Sequence, residues 1–107
     1  MSHIGFDEML AMQQELRAKY HAQWGELTPQ RGRELLLWTM AESGEVADII
    51  KKQGDSAIMS DVDTRAHFLE EVCDVLMYLT DTLLCYDITA EELTEAYLKK
   101  HEFNMHR

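Results

Sequence analysis

Apolar residues recur at steps of three and four along four stretches of this chain, and strict alternation persists nowhere. That period is the signature of amphipathic helices rather than half-buried strands. The first stretch runs from about Phe6 to Trp24, with Phe6, Met9, Leu10, Gln13, Leu16, Tyr20 and Trp24 on one stripe and Gly25 as its stop. Thr28-Pro29 opens the second, since threonine caps a helix N-terminus and proline suits its first turn. This helix is expected from Pro29 to about Gln53, with Lys51 and Lys52 suiting its C-terminal dipole and Gly54 ending it.

Asp55 to Asp63 reads as a polar loop. Its apolar Ile58 and Met59 either pack back on the helices or belong to a lid. Asp61 or Asp63 caps a third helix that runs to about Tyr86 along Phe68, Leu69, Val72, Leu76, Leu79, Leu83 and Leu84. Thr89 and Glu92 have capping-box spacing and start a fourth, from Ala90 to about Phe103. Short connections make successive helices antiparallel neighbours. The expected fold is all-α: a four-helix unit forming one domain over residues 1–107.

Composition narrows the partners. Asp and Glu outnumber Lys and Arg by 20 to 10, giving a net charge of -10. That disfavours a nucleic-acid polymer, which needs a basic surface, but leaves room for a nucleotide held through metal ions. No signal peptide and no membrane-length apolar run is evident, so a cytoplasmic protein is expected. Cys73 and Cys85 lie on one expected helix, roughly 18 Å apart at about 1.5 Å per residue, too far for a disulfide. Free thiols fit a reducing compartment.

The candidate chemistry lies in two acid pairs, Glu42/Glu45 and Glu71/Asp74. Residues three apart share a helix face, with Cβ atoms about 5–6 Å apart. Most such pairs are solvated faces. Here, however, the residues four further on are Val46, Ile49, Val75 and Tyr78, so no basic side chain neutralises them from the next turn. Trp38 and Tyr78 share the same faces. Oxygen ligands without Cys or His point to a hard cation, Mg²⁺ or Mn²⁺. Ferritin-like di-iron sites also use bundle carboxylates, but through Glu-x-x-His motifs that are missing here. Asp48 and Asp81, further along the same helices, read as solvent-exposed or as outer-shell ligands.

Glu-x-x-Glu, 25 intervening residues, then Glu-x-x-Asp resembles the all-α nucleoside triphosphate pyrophosphohydrolases of the MazG type. The resemblance extends to Glu-Ser-Gly-Glu-Val-Ala-Asp at 42–48, to Glu-Glu-Val-Cys-Asp-Val-Leu-Met-Tyr-Leu at 70–79, and to the terminal Lys100–Arg107. It implies Glu42, Glu45, Glu71 and Asp74 as magnesium ligands, and Tyr78 as a nucleotide contact. It implies a role for Lys100, Asn104 and Arg107 at the phosphates or in closing the site. Trp24 and Trp38 are candidates for stacking on a base or for core packing. The implied reaction is Mg²⁺-dependent hydrolysis of a nucleoside triphosphate to monophosphate and pyrophosphate, in a homo-oligomer that is a dimer or tetramer; a carboxylate not committed to metal would take the water's proton, and Glu45 is the candidate. Alternatives are a dUTP- or phosphoribosyl-ATP-directed enzyme on the same fold, or a non-catalytic helical interaction module.

Overall fold

A computed structural model describes residues 2–107. It is all-α, with six helices and no strand among the described residues. They are α1 (Phe6–Lys19), α2 (His21–Trp24), α3 (Pro29–Gln53), α4 (Asp55–Ser60), α5 (Val62–Cys85) and α6 (Ala90–Met105). No helix among the described residues is long and apolar enough to cross a membrane.

The helix ends form where the side chains can satisfy orphan backbone groups. Thr28 Oγ1 accepts from the Arg31 N–H at the start of α3, and Asp61 accepts from the Thr64 N–H at the start of α5. The Thr89–Glu92 capping box opens α6 in both directions. Gly54 ends α3 at φ 86°, a left-handed conformation that glycine adopts without a Cβ penalty.

Two expectations about helix boundaries are corrected. The first stretch is not one helix: Tyr20 leaves helical geometry, with φ -108° and ψ 23°, and α2 restarts beyond it. The stripe hid this break because Tyr20 and Trp24 keep their four-residue spacing across it, their rings 4.8 Å apart. The expected polar loop contains α4, stabilised by Ser60 Oγ donating to the Ser56 carbonyl. Ile58 is half-buried there while Met59 points outward.

The packing centres on α3 against α5. Arg31 and Leu35 share a cleft with Asp81, Glu42 meets Glu71 and Asp74, and Lys52 shares a groove with Asp63. Rising numbers on α3 thus pair with falling numbers on α5, so the two helices are antiparallel. Gly32 leaves room for the C-terminal end of α5: a Cβ there would stand 2.7 Å from the Tyr86 ring and 3.1 Å from Cys85 Cβ. Among the described residues the buried apolar core is Leu10, Leu35, Ile49, Leu84 and Cys85. α6 lies against α1, with the Phe6 and Tyr97 rings edge-on at 5.7 Å.

One polar tie joins α1 to α5. Asp81, expected to be solvent-exposed, is only 4% exposed. Its Oδ2 accepts from Arg17 Nη2 at 2.6 Å and Nε at 3.0 Å, and its Oδ1 from Gln13 Nε2 at 2.8 Å. The partners lie on another helix, beyond the reach of local spacing rules. Removing one member of a buried ion pair leaves an uncompensated charge, at a cost of about 3–5 kcal/mol. Asp81→Ala should therefore lower stability by about that amount in urea denaturation, whereas exposed Asp48→Ala should stay within about 0.5 kcal/mol.

Candidate metal centre

The α3–α5 pairing brings three of the four expected acids to one point. One oxygen each from Glu42, Glu71 and Asp74 lies within 4.8 Å of the others, all three residues half-buried. Glu45 stands one turn along α3, more exposed, and lines an adjoining groove with Asp48, Asp63 and His67. His67 Nε2 is 3.4 Å from Glu71, the nearest basic group to the cluster.

Like charges this close disfavour one another's ionisation. Burial pushes the Glu42 carboxyl above its ordinary range, and Asp74, Glu71 and Glu45 push it further. Glu45 therefore contributes to the electrostatics of the cluster from outside it. Three carboxylates in mutual reach, with no Lys or Arg paired to them, are a donor set suited to a hard divalent cation.

Asp74 also opens onto a cleft of about 310 Å³ between α1, α2, α3 and α5. Trp24, Trp38 and Tyr78 line it, so all three aromatic residues singled out from the sequence border one space beside the acids. Tyr78 is half-buried, whereas Trp38 is 57% exposed. Arg17 carries its guanidinium 5.0 Å from the Trp24 ring centroid, which ties α2 back onto α1. The far end of the cleft holds the buried Gln13–Asp81–Arg17 group, with Arg31 opposite.

Sequence reasoning missed Gln13, Arg17 and Arg31 as cleft residues. The available signal was Gln13, a polar side chain on an otherwise apolar stripe with Arg17 one turn on. Lys100 and Asn104 are exposed on α6, and Arg107 lies just beyond it. None of the three lines the cleft or the adjoining groove, and Lys100 Nζ sits 5.0 Å from the Phe103 ring centroid. No protein-family model, curated protein or solved structure matches the chain.

A metal-free cluster of this kind stores repulsion. Because Glu42 binds its proton more tightly in the folded chain than in the unfolded one, its contribution to stability is present at low pH and is lost as pH rises through the raised range. With a chelator at neutral pH, Glu42→Gln should melt above the wild type. The gap should close as pH falls and wild-type Glu42 protonates. Added Mg²⁺ should raise the melting temperature of the wild type and not of Glu42→Gln.

Proposed function

We propose that the protein is a nucleoside triphosphate pyrophosphohydrolase of the MazG type, which cleaves between the α and β phosphates. The observation that carries this reading is the continuity of the Glu42/Glu71/Asp74 cluster, through Asp74, with an aromatic-walled cleft. Carboxylates at one end and stacking surfaces at the other suit a ligand that is anionic at one end and planar at the other.

Glu42, Glu71 and Asp74 would hold Mg²⁺, or Mn²⁺ in its place, with Glu45 beside them. Such a cation neutralises phosphate charge and makes hydroxide accessible near neutral pH. It also reconciles a triphosphate with a chain of net charge -10. Glu45, outside the close group, keeps a carboxylate free to take a proton from the attacking water. Trp24, Trp38 and Tyr78 orient the nucleoside. Lys100, Asn104 and Arg107 keep the phosphate role that the sequence resemblance suggests. On a single chain they stand on α6, which lies against α1 and not α3. A role in clearing unwanted nucleotides from a cytoplasmic pool follows the same resemblance.

We further propose that the enzyme is a homo-oligomer, a dimer or a tetramer. The chain exposes 8295 Å², where a compact monomer of this length exposes about 6,200 Å². Its radius of gyration is 16.0 Å, against about 13 Å for a compact domain. Much of the surplus is apolar: Leu37, Met40, Leu98, Phe103 and Met105 are all more than 60% exposed. A surplus of about 2,000 Å² matches what an obligate subunit interface covers.

Purified protein with Mg²⁺ should release pyrophosphate from a nucleoside triphosphate. Glu42→Ala or Asp74→Ala should lower the rate at least about a hundredfold without loss of helical circular dichroism. Turnover that survives both changes, or excess chelator, would contradict the reading. In light scattering, the wild type should elute as a dimer or tetramer, and Leu37→Glu with Met40→Glu should shift it toward monomer. A monomeric wild type would refute the assembly.

A further inference from the structure

We propose that α1 and α5 carry a cation site separate from the acid cluster, for a soft monovalent ion of the Cu(I) class, formed by the sulfurs of Met9, Met12, Cys73 and Met77. These four residues line one cavity of about 100 Å³ between the two helices. The chain has seven Met and two Cys, so nearly half of its sulfur-bearing side chains meet there. Cys73 borders this cavity and not the cleft that Asp74 enters. Neighbouring residues on a helix leave it about 100° apart, so the thiol and the Asp74 carboxylate point in different directions.

Helical spacing presents the donors in pairs. Met9 and Met12 are three apart on α1, and Cys73 and Met77 are four apart on α5, so each pair shares a helix face. The Gln13 and Arg17 bonds to Asp81 pin α1 onto α5 just beyond Met12, which sets the two pairs against each other. Gln13 and Thr80 also border the cavity, but Gln13 Nε2 donates to Asp81 and Thr80 Oγ1 to the Leu76 carbonyl. Among the described residues, no charged side chain lines it. Met9 is half-buried, whereas Met12, Cys73 and Met77 are exposed and give an ion a way in. Methionine is unbranched and flexible, so its sulfur can close on an ion without moving the backbone.

The donor set selects the ion. Thioethers and a thiolate are soft ligands, matched to Cu(I) rather than to the hard cation that carboxylates suit. Zinc sites draw on Cys, His and carboxylates, and Cys73 is the one such ligand lining this cavity. Charge points the same way. One thiolate with a monovalent cation is neutral and can sit among apolar side chains, whereas a divalent ion would leave a net charge there at a large cost. On binding, the Cys73 thiol gives its proton to water and its sulfur takes the ion, and copper stays Cu(I) throughout. Cys85 does not compete, since it is 2% exposed and lies against Gly32 at the end of α5.

The test is anaerobic titration of the chelator-treated protein with Cu(I), kept reduced by ascorbate and followed by competition with a chromogenic copper chelator. The wild type should take up one Cu(I) per chain, and Cys73→Ser should abolish the uptake. Met12→Leu with Met77→Leu should weaken it by about tenfold or more, since even groups that only support a metal's ligands are worth about 10–100-fold in affinity. Leucine conserves volume and apolarity at both positions, so the fold should persist, as helical circular dichroism will show. If the double variant loses helicity, the two single variants at these exposed positions are compared in its place. X-ray absorption of the Cu(I) form should show sulfur neighbours alone, more than one per ion, and Zn²⁺ should not displace it. Uptake that survives Cys73→Ser would overturn the site, as would uptake that the methionine changes leave untouched, which is the behaviour of a bare thiol. Displacement by equimolar Zn²⁺, or no uptake by the wild type, would overturn it equally.

Discussion

Repulsion among Glu42, Glu71 and Asp74 is the constraint around which this fold is arranged. One oxygen from each of three carboxylates lies within 4.8 Å of the others, on two long antiparallel helices that pack together. The helices tolerate this because their contact is built elsewhere. Leu35 and Ile49 bury their side chains on α3, Leu84 and Cys85 do so on α5, and Gly32 leaves room for the C-terminal end of α5. The site is thus mounted on rigid elements, which hold ligands more reliably than loops do.

A second feature follows from the small core. With five buried apolar side chains among the described residues, the chain relies on polar ties as well as on its core. The Arg17–Asp81–Gln13 group ties α1 to α5 with three hydrogen bonds to the Asp81 carboxylate, two from Arg17 and one from the Gln13 amide. Ion pairs of this kind add little net stability, because desolvation offsets the attraction. Their value here is geometric: they fix the floor of the cleft and, through Arg17, the position of Trp24. Stability and site geometry are therefore coupled at Arg17, whereas Glu42 sets them in opposition.

Much of this was legible in the sequence. Thr28-Pro29 and Gly54 marked the two ends of α3, Asp61 or Asp63 the start of α5, where Asp61 is the cap, and Thr89 with Glu92 the start of α6, because capping is a local chemistry. The acid cluster was legible because Val46, Ile49, Val75 and Tyr78 put no Lys or Arg four residues after any of the acids, a pattern that spacing alone reveals. What spacing cannot reveal is a partner on another helix. Asp81 looked solvated because Arg17 lies 64 residues away, and Gln13 looked like a minor flaw in an apolar stripe because its acceptor lies 68 residues away. The break at Tyr20 was hidden for the opposite reason, since the stripe continues through it. The fourth acid, Glu45, shares the sequence pattern of the others but lines the neighbouring groove, a difference of one helical turn.

The proposed hard-cation site is tested most directly by titrating Mn²⁺ into the chelator-stripped protein and following the free ion by electron paramagnetic resonance. Saturable loss of the free Mn²⁺ signal is predicted, reversed by excess Mg²⁺ and by lowering the pH until the carboxylates protonate, and absent in Glu71→Gln. A free-ion signal that the protein leaves undiminished, or equal binding by wild type and Glu71→Gln, would contradict it.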